Sequence, residues 1–229
     1  MLRRAILFTL FGVLFVTSGF AQPASLNNTL PMYGGVPKSE CELEADRKFI
    51  EDVTRKEGSR EKAAEKAVQL GWQYFYRGDR DTAMKRFNQA WLLMPENPGA
   101  FWGFGAVMGS QSKFDESLKF FERSRVLAPK NPRMLVDFAL TLSGKASLGT
   151  RDRAEREALF ARAHGLLNEA EQMEQKYPLL YANRAILYFI QGDYVAAWRN
   201  VDRAQALEPR SVSDVFLKDL ASRMPRPTR

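Results

Sequence analysis

One cysteine (Cys41) and one histidine (His164) are all that 229 residues contain of the side chains most used for disulfides, metal ligation and imidazole catalysis. A single thiol excludes a disulfide framework and a multi-cysteine metal site. A single imidazole excludes a histidine-rich metal centre. His164, flanked by Ala163 and Gly165 in a helical stretch, is read as a packing or surface residue. Nothing in the sequence sets two carboxylates across a cleft, so a glycosidase has no support. No apolar run reaches the roughly 20 residues that a membrane-spanning helix needs. No catalytic residue, cofactor or metal is expected, and the chain is not read as an enzyme.

What is present is an ordinary globular balance, 45% hydrophobic and 27% charged, with a formal charge of +7. Residues 1–21 have the layout of an export signal. Arg3 and Arg4 come first, then the apolar run Ala5 to Val16, then the small-residue exit Thr17-Ser18-Gly19-Phe20-Ala21. Cleavage is expected after Ala21, and the alternative is an uncleaved N-terminal anchor. Export places the mature chain in a periplasm or outside the cell, an oxidising space without ATP. Nucleotide-driven chemistry and nucleic-acid binding are therefore not expected. Cys41 then reads as a free surface thiol, with an intermolecular disulfide left open. Residues 22–39, rich in Pro, Gly, Asn and Ser without periodicity, read as a flexible linker, and 224–229 as a disordered tail.

Between them, over 40–223, the chain repeats itself. Shifted by 34 residues, Gly71 falls on Gly105, Phe87 on Phe121, Leu93 on Leu127 and Pro95 on Pro129. A period of this length signals stacked helical units. Apolar residues at mixed i+3 and i+4 spacing predict helices over Gln69–Tyr76 and Thr82–Met94. Arg77-Gly78-Asp79 closes the first and caps the second. Small residues at Gly71, Ala83 and Ala90 let the two helices approach, and Phe87 fills the gap. The units run at about 64–97, 98–131, 132–177 and 178–211. The third is longer by 12 residues, which are placed as a longer loop and an early helix extension within Gly144–Glu157. Helices at Glu40–Lys56 and Val212–Met224 are expected to close the ends.

These residues resemble the tetratricopeptide repeat family, whose pattern runs Trp-x2-Leu-Gly-x2-Tyr, Ala-x3-Phe-x2-Ala, Pro. The first unit matches at Leu70, Gly71, Tyr74, Ala83, Phe87, Ala90 and Pro95. The last matches at Tyr188, Gly192, Ala197, Ala204 and Pro209. The resemblance implies an all-α solenoid of stacked antiparallel hairpins: three regular units, one irregular unit with an insertion, and capping helices at both ends. It implies binding of a protein or peptide in a concave groove lined by the first helix of each unit. Carried over by position, the lining is Val68, Trp72, Phe75 and Tyr76; Trp102, Ala106, Gly109 and Ser110; Arg133, Val136 and Leu140; and Ala182, Ile186 and Phe189. Trp72, Phe75, Tyr76, Trp102, Val136 and Leu140 are the candidate partner-binding residues.

The carboxylate clamp of some family members is not carried over, since Val68, Trp72 and Gly103 occupy its places and Arg133 alone is suitable. Two alternatives stay open. Trp72 or Phe75 is otherwise simply covered by helix 40–56. Gly105 takes the family's packing role, and Gly103 and Gly109 either admit a ligand backbone or only let helices pack closely. The expected role is an exported adaptor in cell-envelope assembly. Its rival is a structural, self-associating module, or one that contacts anionic polymer weakly through basic residues such as Arg123, Arg125, Arg153 and Arg203. Oligomeric state and partner identity are left open.

Overall fold

The computed structural model describes residues 26–227, so the expected export signal at 1–21 lies outside the described residues. Among the described residues ten α-helices follow one another: α1 Glu40–Glu57, α2 Arg60–Tyr76, α3 Arg80–Leu93, α4 Pro98–Ser110, α5 Phe114–Leu127, α6 Pro132–Gly144, α7 Arg153–Met173, α8 Pro178–Gln191, α9 Tyr194–Leu207 and α10 Asp214–Arg223. Among the described residues there is no strand, and no helix is long and apolar enough to cross a membrane. The fold is the expected α-solenoid. The pairs α2/α3, α4/α5, α6/α7 and α8/α9 are antiparallel hairpins that stack side by side.

Local chemistry sets the boundaries. Asn97 and Asn131 accept hydrogen bonds from the backbone N–H groups of Ala100 and Met134, and a proline follows each at the first helical position. Asp79, Asp152 and Asp193 cap α3, α7 and α9 in the same way. Gly78 and Gly192 close α2 and α8 in the left-handed conformation, and Ser112 adopts it at the equivalent place after α4.

The seams between hairpins explain the glycines. Phe87 is wholly buried and wedged between two helices of successive units. A Cβ on Gly71 would stand 2.5 Å from the Phe87 ring, and one on Gly103 would lie closer still. Gly105 meets Phe121 in the same manner, at 2.9 Å. These glycines permit helix contact, the packing reading for Gly103, whereas Gly109 stands in the lining of the concave cavity. Phe121 in turn stacks on Phe138, with centroids 5.2 Å apart.

Both ends are closed as expected. Helix α1 lays Phe49, Ile50 and Val53 on Ala63, Ala64 and Leu93. Trp72 and Phe75 belong to neither that cluster nor that face, so the reading that places them beneath α1 is set aside. At the other end, Phe216 of α10 packs edge-on against Phe189.

Two stretches behave differently from the expectation. Within the expected linker 22–39, the part from residue 26 onward lies on α3. A tight turn at Pro31–Gly34 buries Pro31, and the buried Asn88 amide donates to the carbonyls of Asn28 and Leu30 at 3.0 and 2.8 Å. An amide N–H2 at a core position must find acceptors, and these backbone carbonyls supply them. Within the expected disordered tail, the Trp198 indole N–H donates to the Met224 carbonyl at 3.0 Å, and Arg226 pairs with Asp202 over the same indole. The insertion falls where expected. Helix α6 runs into a π-helical turn, Lys145–Gly149, and α7 has 21 residues against 14 in α3, α5 and α9. Lys145 clamps this turn through Asp115 and Glu155, at 2.8 and 3.0 Å.

Candidate functional site

The first helices of the four hairpins line an open cavity of about 470 Å³ on the concave face. Helix α2 contributes Phe75 and Tyr76; α4 contributes Ala106, Gly109 and Ser110; α6 contributes Asp137, Leu140 and Thr141; α8 contributes Leu179, Asn183 and Ile190. Leu148, on the π-helical turn of the insertion, reaches the mouth and is 77% exposed. The surface is mostly apolar, and several of its large side chains are left open to solvent: Tyr76, Leu140, Leu148 and Leu179. Exposed apolar groups gathered in one concavity make it the candidate site of this chain.

Behind this lining stands an aromatic stack. Trp72 and Trp102 are half-buried, with ring centroids 4.5 Å apart. Tyr76, 71% exposed, lies nearly parallel to Trp72 at 5.8 Å, and Phe75 meets it edge-on at 5.5 Å. The Trp72 indole N–H is buried without a hydrogen-bond partner among the described residues. The Trp102 indole N–H donates to Asp137 Oδ2 at 2.9 Å. Burial pushes the Asp137 carboxyl up to about 6, against the opposing effect of that hydrogen bond. Tyr177, which precedes α8, has its phenol raised by burial and then by the Asp137 charge. Arg133 lies over the Tyr177 ring at 5.2 Å and pairs with Glu174 at 3.6 Å.

Of the candidate residues, Phe75, Tyr76 and Leu140 line the cavity, and Trp72 and Trp102 form the wall just behind it. Val136 does not reach it. It is 0% exposed, in the same core cluster as Leu180, Tyr181 and Ala182 of the neighbouring hairpin, because a short side chain pointed at α8 is covered by that helix. On α6 Leu140 keeps its carried-over place, but elsewhere on α6 and α8 the lining falls one residue later: Asp137 for Val136, Asn183 for Ala182, Ile190 for Phe189. One residue turns a helix face by roughly 100°. Asp137 is the residue that positional reasoning missed. The signal was there, a lone carboxylate inside the apolar run Leu135–Leu142.

A smaller, polar hollow of about 250 Å³ adjoins the groove around Ser112, Asp115 and Lys145. Of its two lysines, Lys113 and Lys145, the second is already held by two carboxylates. Among the described residues no group of His, Cys, Asp and Glu is arranged to hold a metal ion. His164 bonds Gln191 at 2.7 Å and meets the Tyr188 ring at a tilt, 5.0 Å between centroids, which is a packing role at the α7/α8 seam.

In structure the chain is similar to a thermophilic TPR protein of Thermus thermophilus, with a TM-score of 0.60 at 17% identity over 71% of this chain and 92% of that one. It is similar also to PilF of Pseudomonas aeruginosa, with a TM-score of 0.52 at 18% identity over 70% of each chain. No family model and no curated protein matches the sequence. These likenesses establish the fold, a solenoid of the tetratricopeptide-repeat type.

Proposed function

We propose that the chain is a non-enzymatic interaction scaffold that holds a peptide segment or helix of a partner protein in its concave groove. The observation that carries this is the open apolar cavity of about 470 Å³ beside the Trp72–Trp102 stack. Rigid aromatics contribute large contact area at low entropic cost, and an amphipathic helix or extended segment presents the matching apolar side chains. The setting we infer is the cell envelope, on the export-signal layout of residues 1–21.

The rival reading, contact with anionic polymer through outward arginines, has less behind it. Of the basic residues it would use, Arg123, Arg125, Arg153 and Arg203 are each paired with a glutamate, while Lys85, Arg151 and Arg199 stand exposed. Pull-down from envelope extract separates the two. Wild type retains a defined set of proteins, and both Trp102→Ala and Leu140→Arg lose it. If both variants keep the same proteins, and binding to anionic polymer vanishes at high salt, the groove reading fails and the polymer reading replaces it.

A further inference from the structure

The groove carries a marked asymmetry of charge. Asp137 is the only charged side chain that lines it among the described residues. Its Oδ2 accepts one hydrogen bond, from Trp102, and no ion pair reaches it among the described residues. Arg133, one turn earlier on the same helix, is turned away onto Glu174 and the Tyr177 ring. A carboxylate set in apolar surroundings without a cation is held at a cost, and it is the group a ligand cation would relieve. The aromatics beside it suit the same guest, because an ammonium or guanidinium is attracted to indole and phenol faces as well as to carboxylate. An acidic guest would meet the single charge of the floor with the wrong sign and find no cation in the lining.

We propose that the groove's guest is a peptide segment of a partner protein, apolar along most of its length, that seats one lysine or arginine on Asp137. This rests on the groove reading above and gives the guest's chemistry. Phe75, Leu140, Leu179 and Ile190 take the apolar side chains, and Asp137 fixes the register by the position of the basic one. At neutral pH the carboxyl is mostly ionised, since burial raises it only to about 6.

Selection from a random displayed peptide library against the chain tests it, with Asp137→Asn as the comparison. That variant keeps an oxygen for the Trp102 N–H while removing the charge, and circular dichroism checks that it folds. Wild type is expected to enrich apolar peptides with a basic residue at one fixed position, and Asp137→Asn to enrich apolar peptides without it. For a synthetic enriched peptide, Asp137→Asn and replacement of its basic residue by methionine each weaken binding about tenfold, and together no more than either alone. Affinity also falls as the pH drops below about 6. The groups facing the carboxylate from neighbouring elements are the Tyr76 and Tyr177 phenols, with Arg133 and Glu174 beyond, and none of the phenols titrates there. Enrichment of apolar peptides with no basic preference overturns this inference and leaves the groove reading standing. Failure to enrich any peptide overturns the groove reading, and this inference with it.

Discussion

The two halves of the solenoid solve the same packing problem with different chemistry. In α2–α5 the close approach of helices depends on glycine, and the space is filled by Phe87 and Phe121. In α6–α9 the equivalent first-helix places hold Ala139 and Ala185, and the second-helix places hold Leu167 and Val201, all buried. Small plus large gives way to medium plus medium, at similar volume. The second half adds a polar network that the first lacks. Glu171 of α7 takes Arg184 of α8 at 2.5 Å and Arg203 of α9 at 3.0 Å, and the Tyr181 hydroxyl joins them. A repeat of this kind therefore holds the distance between helices rather than the residue type, and each half fails through its own weak point.

The greatest loss is expected at the glycine seam. Gly71→Ala drives a methyl group into the Phe87 ring, and should cost about 3 kcal/mol in urea denaturation despite alanine's better helix propensity. Combined with Phe87→Leu, which imitates the second half, most of that loss should return. If the double variant is no more stable than the single, volume exchange is not what separates the halves.

Next comes Arg184→Met, which breaks the network where it is most buried. It should destabilise by about 2 kcal/mol, less than loss of an isolated buried pair, because Arg203 remains on Glu171. Burial raises the Glu171 carboxyl, but the hydrogen bond and charge of Arg184, with Tyr181 and Arg203, outweigh it and hold the carboxyl below its ordinary value. A depressed carboxylate stabilises the fold above its unfolded value and loses that contribution as the pH falls through the folded one. The difference between wild type and Arg184→Met should therefore shrink in acid, as read from denaturation at neutral pH and below pH 4. A constant difference would mean that Arg184 acts by packing alone.

The mildest change lies where the halves meet, on α6. Asp137 is raised to about 6 in the fold against 3.8 unfolded, so above pH 6 its charge opposes folding. As the pH falls the folded state takes up the proton first, and the penalty is gone near pH 4. Asp137→Asn should thus be more stable than wild type at pH 7.5, and that gain should fade as the pH falls toward 4. A variant less stable than wild type at pH 7.5 would make Asp137 a structural acceptor for Trp102 and nothing more.

Much of this was legible in the order of residues. The 34-residue period, the asparagine and aspartate caps and the Gly71/Phe87 pairing are all local, or separated by one unit, and they declare themselves by spacing. The concave placement of Phe75, Tyr76 and Leu140 was also readable, as was the aromatic wall of Trp72 and Trp102. Val136 and Asp137 were exchanged because the carried-over positions assume that every first helix presents the same angular face. The anchoring of the N-terminal stretch was hidden because Asn88 and Asn28 lie 60 residues apart.

Short-range chemistry written into the residue order is enough to wind this chain into antiparallel helical pairs and to set where each begins and ends, since hydrogen-bond caps, left-handed glycines and helical periodicity act over a few residues. Which side chains face the groove, that Asp137 stands in it without a cation, and that the N-terminal stretch lies on α3 are settled by the packed stack. Those outcomes depend on how one helix is rotated against its neighbour, and a rotation of a single residue, set by packing across all the hairpins, exchanges a buried valine for a groove-lining carboxylate.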